Sequence, residues 1–278
     1  MNSALSYKIS FIGGGNMAQA LIGGLLSRGF PVEHITVFDP TPSVQEILLE
    51  KKIRVYAKPI ASSDCDVVIL AVNPQDVQNA LASWKKFFSN QLIISIVAGA
   101  NIDLIAGLIG HDRIIRAMPN MPAQVHIGAH GMYAPEFISE DDKARAAQIL
   151  SATGLGVWLT HESDLDAVTA LSGSGPAYFF YMMESMIRAG RNLGLDEKTA
   201  TALTLQTALG AAQMAISSGA TPAELRKKVT SAQGTTRAAL DVFDQMSVSQ
   251  SIQTALAAAQ RRSQELAQEL SDSTKSSK

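Results

Sequence analysis

A short apolar strand that leads directly into a glycine turn and then a helix constrains this chain more than any other feature. The strand is predicted over Lys8–Ile12, the turn over Gly13–Gly15 and the helix over Asn16–Arg28. Glycines permit a tight turn and a close approach of the backbone to a pyrophosphate, and the small Ala18 lets the helix pack near the strand. Free N–H groups at a helix N-terminus bind phosphate. The pattern therefore predicts a dinucleotide-binding turn.

A second predicted strand, Ile35–Asp39, ends in a carboxylate. In dinucleotide-binding folds an acidic residue at this place accepts a hydrogen bond from the ribose 2′-hydroxyl. The negative charge of Asp39 would repel a 2′-phosphate, and no arginine follows it closely. These residues favour NADH, with NADPH kept as the other candidate cofactor.

The composition narrows the class of protein. The chain has 278 residues, of which 46% are hydrophobic and 17% charged, and its formal net charge is −2. This balance is typical of a globular protein with a large core, and the lack of a basic cluster argues against nucleic acid or an anionic membrane as a partner. The single cysteine, Cys65, allows no internal disulfide and is expected to be a structural thiol.

The sequence also predicts a compartment. The longest apolar runs, such as Val67–Val72 and Leu92–Ala98, are too short to cross a bilayer and have the length of buried strands. The first residues are polar and show no export-signal pattern. With one cysteine and neither an export signal nor a spanning segment, the expectation is a cytoplasmic protein.

The first half of the chain alternates short apolar runs with amphipathic stretches. This alternation predicts βαβ units and a parallel sheet with helices on both faces. A helix over Glu140–Thr153 and an apolar run over Gly156–Leu159 complete this part. The predicted strands are Lys8–Ile12, Ile35–Asp39, Arg54–Tyr56, Val67–Val72, Leu92–Val97 and Ile114–Ala117.

After about His161 the sequence reads as successive helices rich in Ala, Leu, Met and Gln. We expect a dinucleotide-binding domain over residues 1–162 and an all-helical domain over 163–278. The stretch Thr199–Ser217 carries few charges on any face, which favours a helical dimer interface. The predicted helices are Asp164–Leu171, Pro176–Leu193, Glu197–Ser217, Pro222–Val229, Thr236–Met246 and Val248–Leu270, followed by a frayed tail over Ser271–Lys278.

Three loops that follow predicted strands contain small residues, prolines and amides. They are Ala71–Gln75, Val97–Ala100 and Arg116–Pro122. In an open parallel sheet, ligands bind beyond the carboxyl ends of the strands, so a nicotinamide ring and its ribose are expected there. Ordinary turn chemistry explains any one of these loops by itself.

Two turns in the helical part are also distinctive. In Leu171–Pro176, Ser174 or Gly175 can cap a helix that begins at Pro176. In Val229–Thr236, a hydroxyl-rich turn opens the next helix, whose free N–H groups and dipole suit a small carboxylate. Capping alone accounts for either turn, although it leaves the number of hydroxyls in the second unexplained.

The histidines form no recognisable catalytic or metal-binding pattern. His126 and His130 are four residues apart, but Gly128 and Gly131 argue against the helix that would align them on a metal. Acidic residues are scattered and are typical of solvated helix faces. No metal is expected, and the chemistry is assigned to the cofactor, which the protein positions.

Taken together, these motifs resemble the pyrroline-5-carboxylate reductases over nearly the whole chain. The resemblance implies that NAD(P)H delivers hydride to the imine carbon of 1-pyrroline-5-carboxylate and yields L-proline, in the last step of proline biosynthesis. It also implies a Rossmann-type doubly wound parallel sheet followed by an all-helical dimerisation domain, and a homodimer or higher homo-oligomer. The motifs that carry it are Phe11–Ala18, Ala71–Gln75, Arg116–Ala123, Leu171–Tyr178 and Val229–Thr236.

The resemblance assigns roles to individual residues. Thr236 is the counterpart of the family's hydroxyl near the ring nitrogen, and it orients more than it protonates, because a hydroxyl is a weak acid. The substrate-binding residues implied are Ser174, Ser231, Ala232, Gln233, Gly234 and Thr235, and the family places the loop before Thr236 against the nucleotide domain of a partner subunit. The residues expected to bind the cofactor are Gly13, Gly14, Gly15, Asn16, Met17, Ala18, Asp39, Ala71, Val72, Asn73, Pro74, Ala98, Gly99, Met118, Pro119 and Asn120.

The chain departs from the family pattern at three places. Asn73 stands where the family usually has lysine, Met121 where it has threonine, and Ala232-Gln233 where it has proline and glycine. The first change removes a cation from the surroundings of the cofactor, and the third alters the backbone freedom of the expected carboxylate loop. Reduced activity and a shifted imine substrate stay open.

Two other classes of protein share part of the pattern. β-Hydroxyacid dehydrogenases also join a nucleotide domain to helices, but they need a catalytic lysine after a glycine-rich turn, and Pro176–Arg191 contains none. A non-catalytic dinucleotide-binding protein that senses redox state fits the same fold. Turnover of a cyclic imine would exclude the sensor.

Overall fold

A computed structural model describes residues 7–60 and 65–276, with side chains to residue 273, and it contains two compact units. The first unit comprises Met1–Ser174 and Ala259–Lys278, and the second comprises Gly175–Ala258. This division differs from the boundary at 162 and 163 expected from the sequence. The segment up to Ser174 and the C-terminal end of the last helix belong by their contacts to the unit that contains the sheet.

The first unit is built on an eight-stranded sheet in the order β3-β2-β1-β4-β5-β6-β7-β8. Neighbouring strands are parallel except for β6 and β7, which are antiparallel. The predicted parallel sheet is confirmed, but β7 was not predicted. The strands are β1 Ile9–Ile12, β2 Ile35–Phe38, β3 Arg54–Tyr56, β4 Val67–Leu70, β5 Leu92–Ser95, β6 Ile114–Met118, β7 Gly128–Tyr133 and β8 Gly154–Trp158.

Helices cover both faces of this sheet, as a doubly wound fold requires. One apolar cluster contains Leu21 and Ile149, from helices on one face, and a second contains Leu81 and Ile105 from helices on the other. Each fully buried Leu or Ile side chain contributes about 1.5–3 kcal/mol. The helices of this unit are α1 Asn16–Ser27, α2 Pro42–Glu50, α3 Val77–Trp84, α4 Ile102–Ile109, α5 Glu140–Ser151 and α6 Asp164–Val168.

The segment after α6 corrects one prediction. A helix was expected over Asp164–Leu171, whereas α6 passes at Thr169–Gly173 into a π-helical turn, which we call the π-turn. Its wider winding appears in the bond from the Ser174 N–H to the carbonyl of Thr169, at 2.8 Å. Such π-helical turns are rare and occur frequently at functional sites.

The second unit consists of helices. They are α7 Gly175–Asn192, α8 Glu197–Ser217, α9 Pro222–Lys228, α10 Thr235–Gln245 and the first part of α11, which runs over Val248–Ser276. The prediction that α11 ends at Leu270 is wrong, because helical backbone continues to Ser276; residues 277 and 278 lie outside the described residues. In the single chain α7 exposes large apolar side chains, among them Phe179, Phe180 and Tyr181. Such a surface is typical of a subunit interface.

The two histidines singled out in the sequence lie at β7. His126 has a positive φ just before the strand, and His130 is buried within it, with its Nε2 atom 3.1 Å from the Thr153 hydroxyl. Burial lowers the pKa of His130, because the charged imidazolium loses its hydration. Across residues 7–60 and 65–276 no group of three metal-ligating side chains is found, and no helix has the length and apolar character needed to cross a membrane.

Candidate active site

The glycine turn after β1 joins the carboxyl ends of three strands. The Gly13 N–H donates to the carbonyl of Phe38 at the end of β2, at 2.9 Å. Gly13 has a φ of +96°, and a Cβ atom there would lie 2.4 Å from the carbonyl oxygen of Ala71, just after β4. Only glycine fits this position, because both the backbone angle and the close approach exclude a side chain.

Asp39 holds the same turn from the side of β2. Its Oδ2 atom accepts a hydrogen bond from the Gly14 N–H and its Oδ1 atom accepts one from the Thr41 N–H, both at 2.8 Å. The residue is 8% exposed. Sequence reasoning placed Asp39 at a ribose but did not foresee this internal role. Each carboxylate oxygen can accept a second hydrogen bond, so both roles are compatible.

Gly15 differs from Gly13 and Gly14, which are both buried. It is exposed, and among the described residues no atom lies within 4 Å of the position that its Cβ would occupy. As the N-cap of α1, Gly15 has no side chain to bond the first N–H groups of the helix. Protein packing therefore does not explain the missing side chain, whereas a pyrophosphate needs both the open space and the free N–H groups. The residues present fit a dinucleotide.

The other residues predicted to contact the cofactor near this turn differ in their exposure to solvent. Asn16 is exposed, Met17 is half-buried and Ala18 is buried against the core. After β4, Ala71 and Val72 are half-buried, while Asn73 and Pro74 are exposed. The side-chain N–H of Asn73 donates to Asp76 Oδ2 at 3.2 Å, so the amide that replaces the family's lysine bonds within its own loop.

The loop after β5 contacts the C-terminal helix. Ala98 is half-buried, and Gly99 is buried with a φ of +76°. A Cβ atom on Gly99 would lie 3.3 Å from the backbone of Ala267 in α11. The glycine thus lets the helix approach this loop, a contact between residues far apart in sequence that no local pattern indicated.

The last residue of β6, Met118, and the loop that follows it lie against the π-turn. Met118 is half-buried, Pro119 and Asn120 are buried, and the Asn120 amide bonds the carbonyl of Ser172 at 3.0 Å. A Cβ atom on Gly173 would lie 3.0 Å from Met118 Cε. Ser174 is half-buried directly after this contact. The structure therefore places residues expected at the cofactor against the turn that directly precedes Ser174, the residue expected at the substrate.

An ion pair that sequence reasoning missed links β6 to the loop after β5. Arg116 Nη1 lies 2.9 Å from Glu162 Oε1, and the same oxygen accepts the N–H of Ile102, at the start of α4, at 2.8 Å. The Arg116 side chain is 12% exposed. Its position in a strand and the distance to Glu162 in sequence gave no signal for this pair.

The hydroxyl-rich turn of the second unit leads into α10. Gly234 is the N-cap of α10 and provides no side-chain bond, so the first N–H groups of the helix lack a capping group. Thr236 is half-buried, while Ser231, Ala232, Gln233 and Thr235 are exposed. Neither Ala232 nor Gln233 belongs to the described residues with positive φ, so the turn forms without the family's glycine. The N-terminus of α10 can therefore accept a small carboxylate.

Two family models match the chain, one in each half. Residues 162–266 match the model described as pyrroline-5-carboxylate reductase dimerisation. Residues 8–99 match the model described as NADP oxidoreductase, coenzyme F420-dependent. The second match covers the glycine turn, and the first covers the helices with exposed apolar side chains and the hydroxyl-rich turn.

Individual relatives match over nearly their whole length. The pyrroline-5-carboxylate reductase of Pseudomonas aeruginosa is 47% identical, over 95% of this chain and 98% of the relative. That of Haemophilus influenzae is 42% identical, over 93% of this chain and 97% of the relative.

Solved structures of the same family share the fold. The Coxiella burnetii pyrroline-5-carboxylate reductase has a TM-score of 0.89 at 38% identity, covering 94% of this chain and 98% of that one. The Plasmodium falciparum pyrroline carboxylate reductase, solved with NADP bound, has a TM-score of 0.83 at 27% identity and the same coverage.

The resemblance found in the motifs is therefore confirmed along both units. Identity of this size over nearly the full length of both chains extends beyond the fold, which many unrelated enzymes share. The dimerisation region also indicates a homo-oligomer. The chain belongs to the pyrroline-5-carboxylate reductases, the NAD(P)H-dependent oxidoreductases that convert 1-pyrroline-5-carboxylate to L-proline.

Proposed function

We propose that this reductase binds the carboxylate of 1-pyrroline-5-carboxylate at Ser231–Thr235 and places the ring nitrogen beside the hydroxyl of Thr236. The observation that carries the proposal is the N-terminus of α10, where Gly234 offers no capping side chain. The uncapped N–H groups and the helix dipole favour a carboxylate there. Ser174 is proposed to contact the substrate from the end of the π-turn.

The protein's part in the reaction is to bind and orient. A reduced nicotinamide held by the loops at the carboxyl edge of the sheet would supply the hydride needed at the imine carbon. The ring nitrogen gains one proton, so the imine becomes the secondary amine of L-proline. Thr236 donates a hydrogen bond to that nitrogen and relays a proton from water, since a hydroxyl is too weak an acid to act as the sole donor.

We propose that the dinucleotide lies along the carboxyl edge of the sheet. Gly15 and the N-terminus of α1 hold the pyrophosphate, and the loops after β4, β5 and β6 hold the nicotinamide and its ribose. The open space at Gly15 supports this placement. The proposed contacts are Gly13, Gly14, Gly15, Asn16, Met17, Ala18, Asp39, Ala71, Val72, Asn73, Pro74, Ala98, Gly99, Met118 and Pro119.

We also propose how the subunits assemble and where in the cell the protein is located. The helical domain is proposed to form at least a homodimer, in which the turn before Thr236 serves the nucleotide domain of the partner subunit. The apolar side chains exposed on α7 in the single chain support such an interface. The cytoplasm is proposed as the compartment, and nucleic acid is not expected as a partner at a net charge of −2.

Removal of the Thr236 hydroxyl tests the proposed role of this residue. We expect Thr236→Val to lower kcat/KM for 1-pyrroline-5-carboxylate about 10- to 100-fold, the effect of one hydrogen bond to a group that gains charge. The measurement is the loss of reduced-nicotinamide absorbance with NADH and with NADPH. Thr160→Val, at an exposed threonine of the first unit, is the matched control and should retain full activity.

Two outcomes would contradict this assignment. Equal activity of Thr236→Val and the parent would remove the role given to the hydroxyl. No oxidation by the parent with either cofactor, despite measurable dinucleotide binding, would favour the non-catalytic sensor.

The preference for NADH over NADPH is a separate prediction that depends on Asp39. A 2′-phosphate beside this carboxylate is repelled, so we expect NADH to bind at least about tenfold more tightly than NADPH. Asp39→Asn removes the charge but can accept only one of the two backbone N–H bonds, so both cofactors should bind more weakly while the ratio of their two dissociation constants moves towards one. Nicotinamide fluorescence titration measures both constants, with the exposed Asp141→Asn as control. Equal affinities in the parent would refute the preference.

A further inference from the structure

Asn120 is a buried amide whose two ends bond different segments of the chain. The residue is 8% exposed. Its Nδ2 atom donates to the carbonyl of Ser172 in the π-turn at 3.0 Å, and its Oδ1 atom accepts the N–H of Ala129 in β7 at 2.9 Å. One side chain therefore joins the end of β6, the strand β7 and the π-turn. Buried polar groups that are bonded at both ends in this way hold a specific local arrangement.

The π-turn rests on the same strands through apolar contacts. A Cβ atom on Gly173 would lie 3.0 Å from Met118 Cε, and one on Gly131 would lie 2.7 Å from Cγ1 of Val168, the last residue of α6 before the turn. Glycine at both positions lets the turn lie close to β6 and β7. The contacts set how near the turn lies, but apolar contact does not select one orientation. The hydrogen bond from Asn120 is directional, so it selects one orientation of the π-turn.

The position of Asn120 in the chain gives this bond a functional meaning. Asn120 directly follows Met118 and Pro119, which are proposed to face the nicotinamide. Ser172, which it bonds, lies two residues before Ser174, which is proposed to contact the substrate. A shift of the π-turn by a fraction of an ångström would therefore change the distance between the two reactants, to which reaction rates are sensitive.

We propose that Asn120 is a positioning residue that couples the cofactor-facing loop after β6 to the substrate-facing Ser174, through the carbonyl of Ser172. The proposal rests on the function proposed for Ser174 and for Met118 and Pro119. It changes the expectation for Asn120 itself, since both ends of its amide are bonded within the protein. Asn120 acts on the substrate through the π-turn.

Asn120→Asp removes the bond to Ser172 and also adds a carboxyl group at a buried position, an addition that the second variant below avoids. The aspartate keeps an oxygen for the Ala129 N–H but places a second oxygen against the Ser172 carbonyl, where the amide donated. We expect KM for 1-pyrroline-5-carboxylate to rise and kcat to fall, with kcat/KM lower by about tenfold or more. The dissociation constant of NADH alone should stay within about twofold, because the β1–α1 turn is untouched.

A second readout does not depend on turnover. Deuterium uptake at residues 169–174 should rise in Asn120→Asp, because the Ser174 N–H loses the fixed π-turn that protects it. Gly131→Ala displaces the start of the same turn from the side of β7, because its Cβ would lie 2.7 Å from the branched side chain of Val168, and it should raise KM in the same direction while leaving the Asn120 amide intact. It serves as the second variant if Asn120→Asp does not fold.

Thr153→Val is the matched control for a general loss of stability. It removes a buried hydroxyl that bonds His130 and the carbonyl of Leu150, but it does not contact the π-turn. The proposal is overturned if uptake at 169–174 is unchanged in Asn120→Asp. It is also overturned if both Asn120→Asp and Thr153→Val change KM and the dinucleotide affinity in parallel. An inactive parent enzyme would instead refute the proposed function, while the deuterium comparison would still decide whether Asn120 holds the turn.

Discussion

Gly15→Val is expected to weaken dinucleotide binding by about 100-fold or more while leaving the protein folded. The valine side chain would fill the space at the N-terminus of α1 where no protein atom lies within 4 Å among the described residues. The φ of −65° and ψ of −174° at this position are accessible to valine. The loss of a good N-cap residue costs only about 1 kcal/mol of unfolding free energy.

Gly13→Ala changes the same turn but is expected to destabilise the protein itself, whereas Gly15→Val is expected to weaken mainly the binding of the dinucleotide. The new Cβ would lie 2.4 Å from the carbonyl oxygen of Ala71 at a φ of +96°. We expect a loss of about 2–3 kcal/mol or more in unfolding free energy, from the backbone strain and the displaced strand.

Two measurements separate these variants. Urea unfolding gives the free energy, and fluorescence titration gives the dissociation constant of NADH. We expect Gly15→Val to raise the dissociation constant of NADH without lowering the unfolding free energy by more than about 1 kcal/mol. We expect Gly13→Ala to raise the dissociation constant and to lower the unfolding free energy as well. Tight NADH binding by Gly15→Val would show that the pyrophosphate does not lie at this helix N-terminus.

The second large effect is expected at the ion pair between Arg113 and Asp142. Arg113 donates to both carboxylate oxygens of Asp142, each at 2.8 Å, and the Asp142 side chain is 4% exposed. Arg113→Ala leaves this carboxylate buried without its main partner, at a cost of about 3 kcal/mol of unfolding free energy. Arg145→Ala is the control, since its guanidinium lies 3.9 Å from Asp142 and is more exposed.

The pH dependence of the same pair has a definite sign. Burial by itself raises the pKa of Asp142, but the hydrogen bond and charge of Arg113 outweigh it and hold the pKa below its ordinary value. A carboxyl group with a lowered folded pKa stabilises the protein above its unfolded pKa of about 4, and this stabilisation is lost as the pH falls below it. Unfolding curves of the parent should therefore lose more stability than those of Arg113→Ala between about pH 5 and pH 3. Parallel curves would contradict the pairing.

Local patterns were sufficient for much of the fold. The first six strands were predicted near their observed places. All of them except the short and exposed β3 are mainly apolar runs, and β1, β4 and β5 are buried along their whole length. The strand β7 was missed because Gly128–Tyr133 contains two glycines and a histidine and lacks a continuous apolar run. Its antiparallel pairing with β6 and the burial of His130 depend on neighbours far along the chain.

Some features of the candidate site could likewise be predicted from the sequence, and others could not. The glycine turn and the hydroxyl-rich turn were recognisable because each is a contiguous motif whose chemistry follows from its own residues. The bonds of Asn120, the contact of Gly99 with Ala267 and the pair of Arg116 with Glu162 join segments separated in sequence. Periodicity and turn propensity carry no information on such pairs, because they describe only neighbouring residues.

The amino-acid sequence by itself determined the alternation of strands and helices, the glycine turn with Asp39 after β2, and the family. These properties follow from short-range patterns and contiguous motifs. Only the tertiary structure decided that Asp39 holds the glycine turn, that the π-turn replaces the end of a regular helix, and that Asn120 ties this turn to β6. The physical reason is that a buried polar group must find a partner, and the packing of distant segments decides which partner lies within reach.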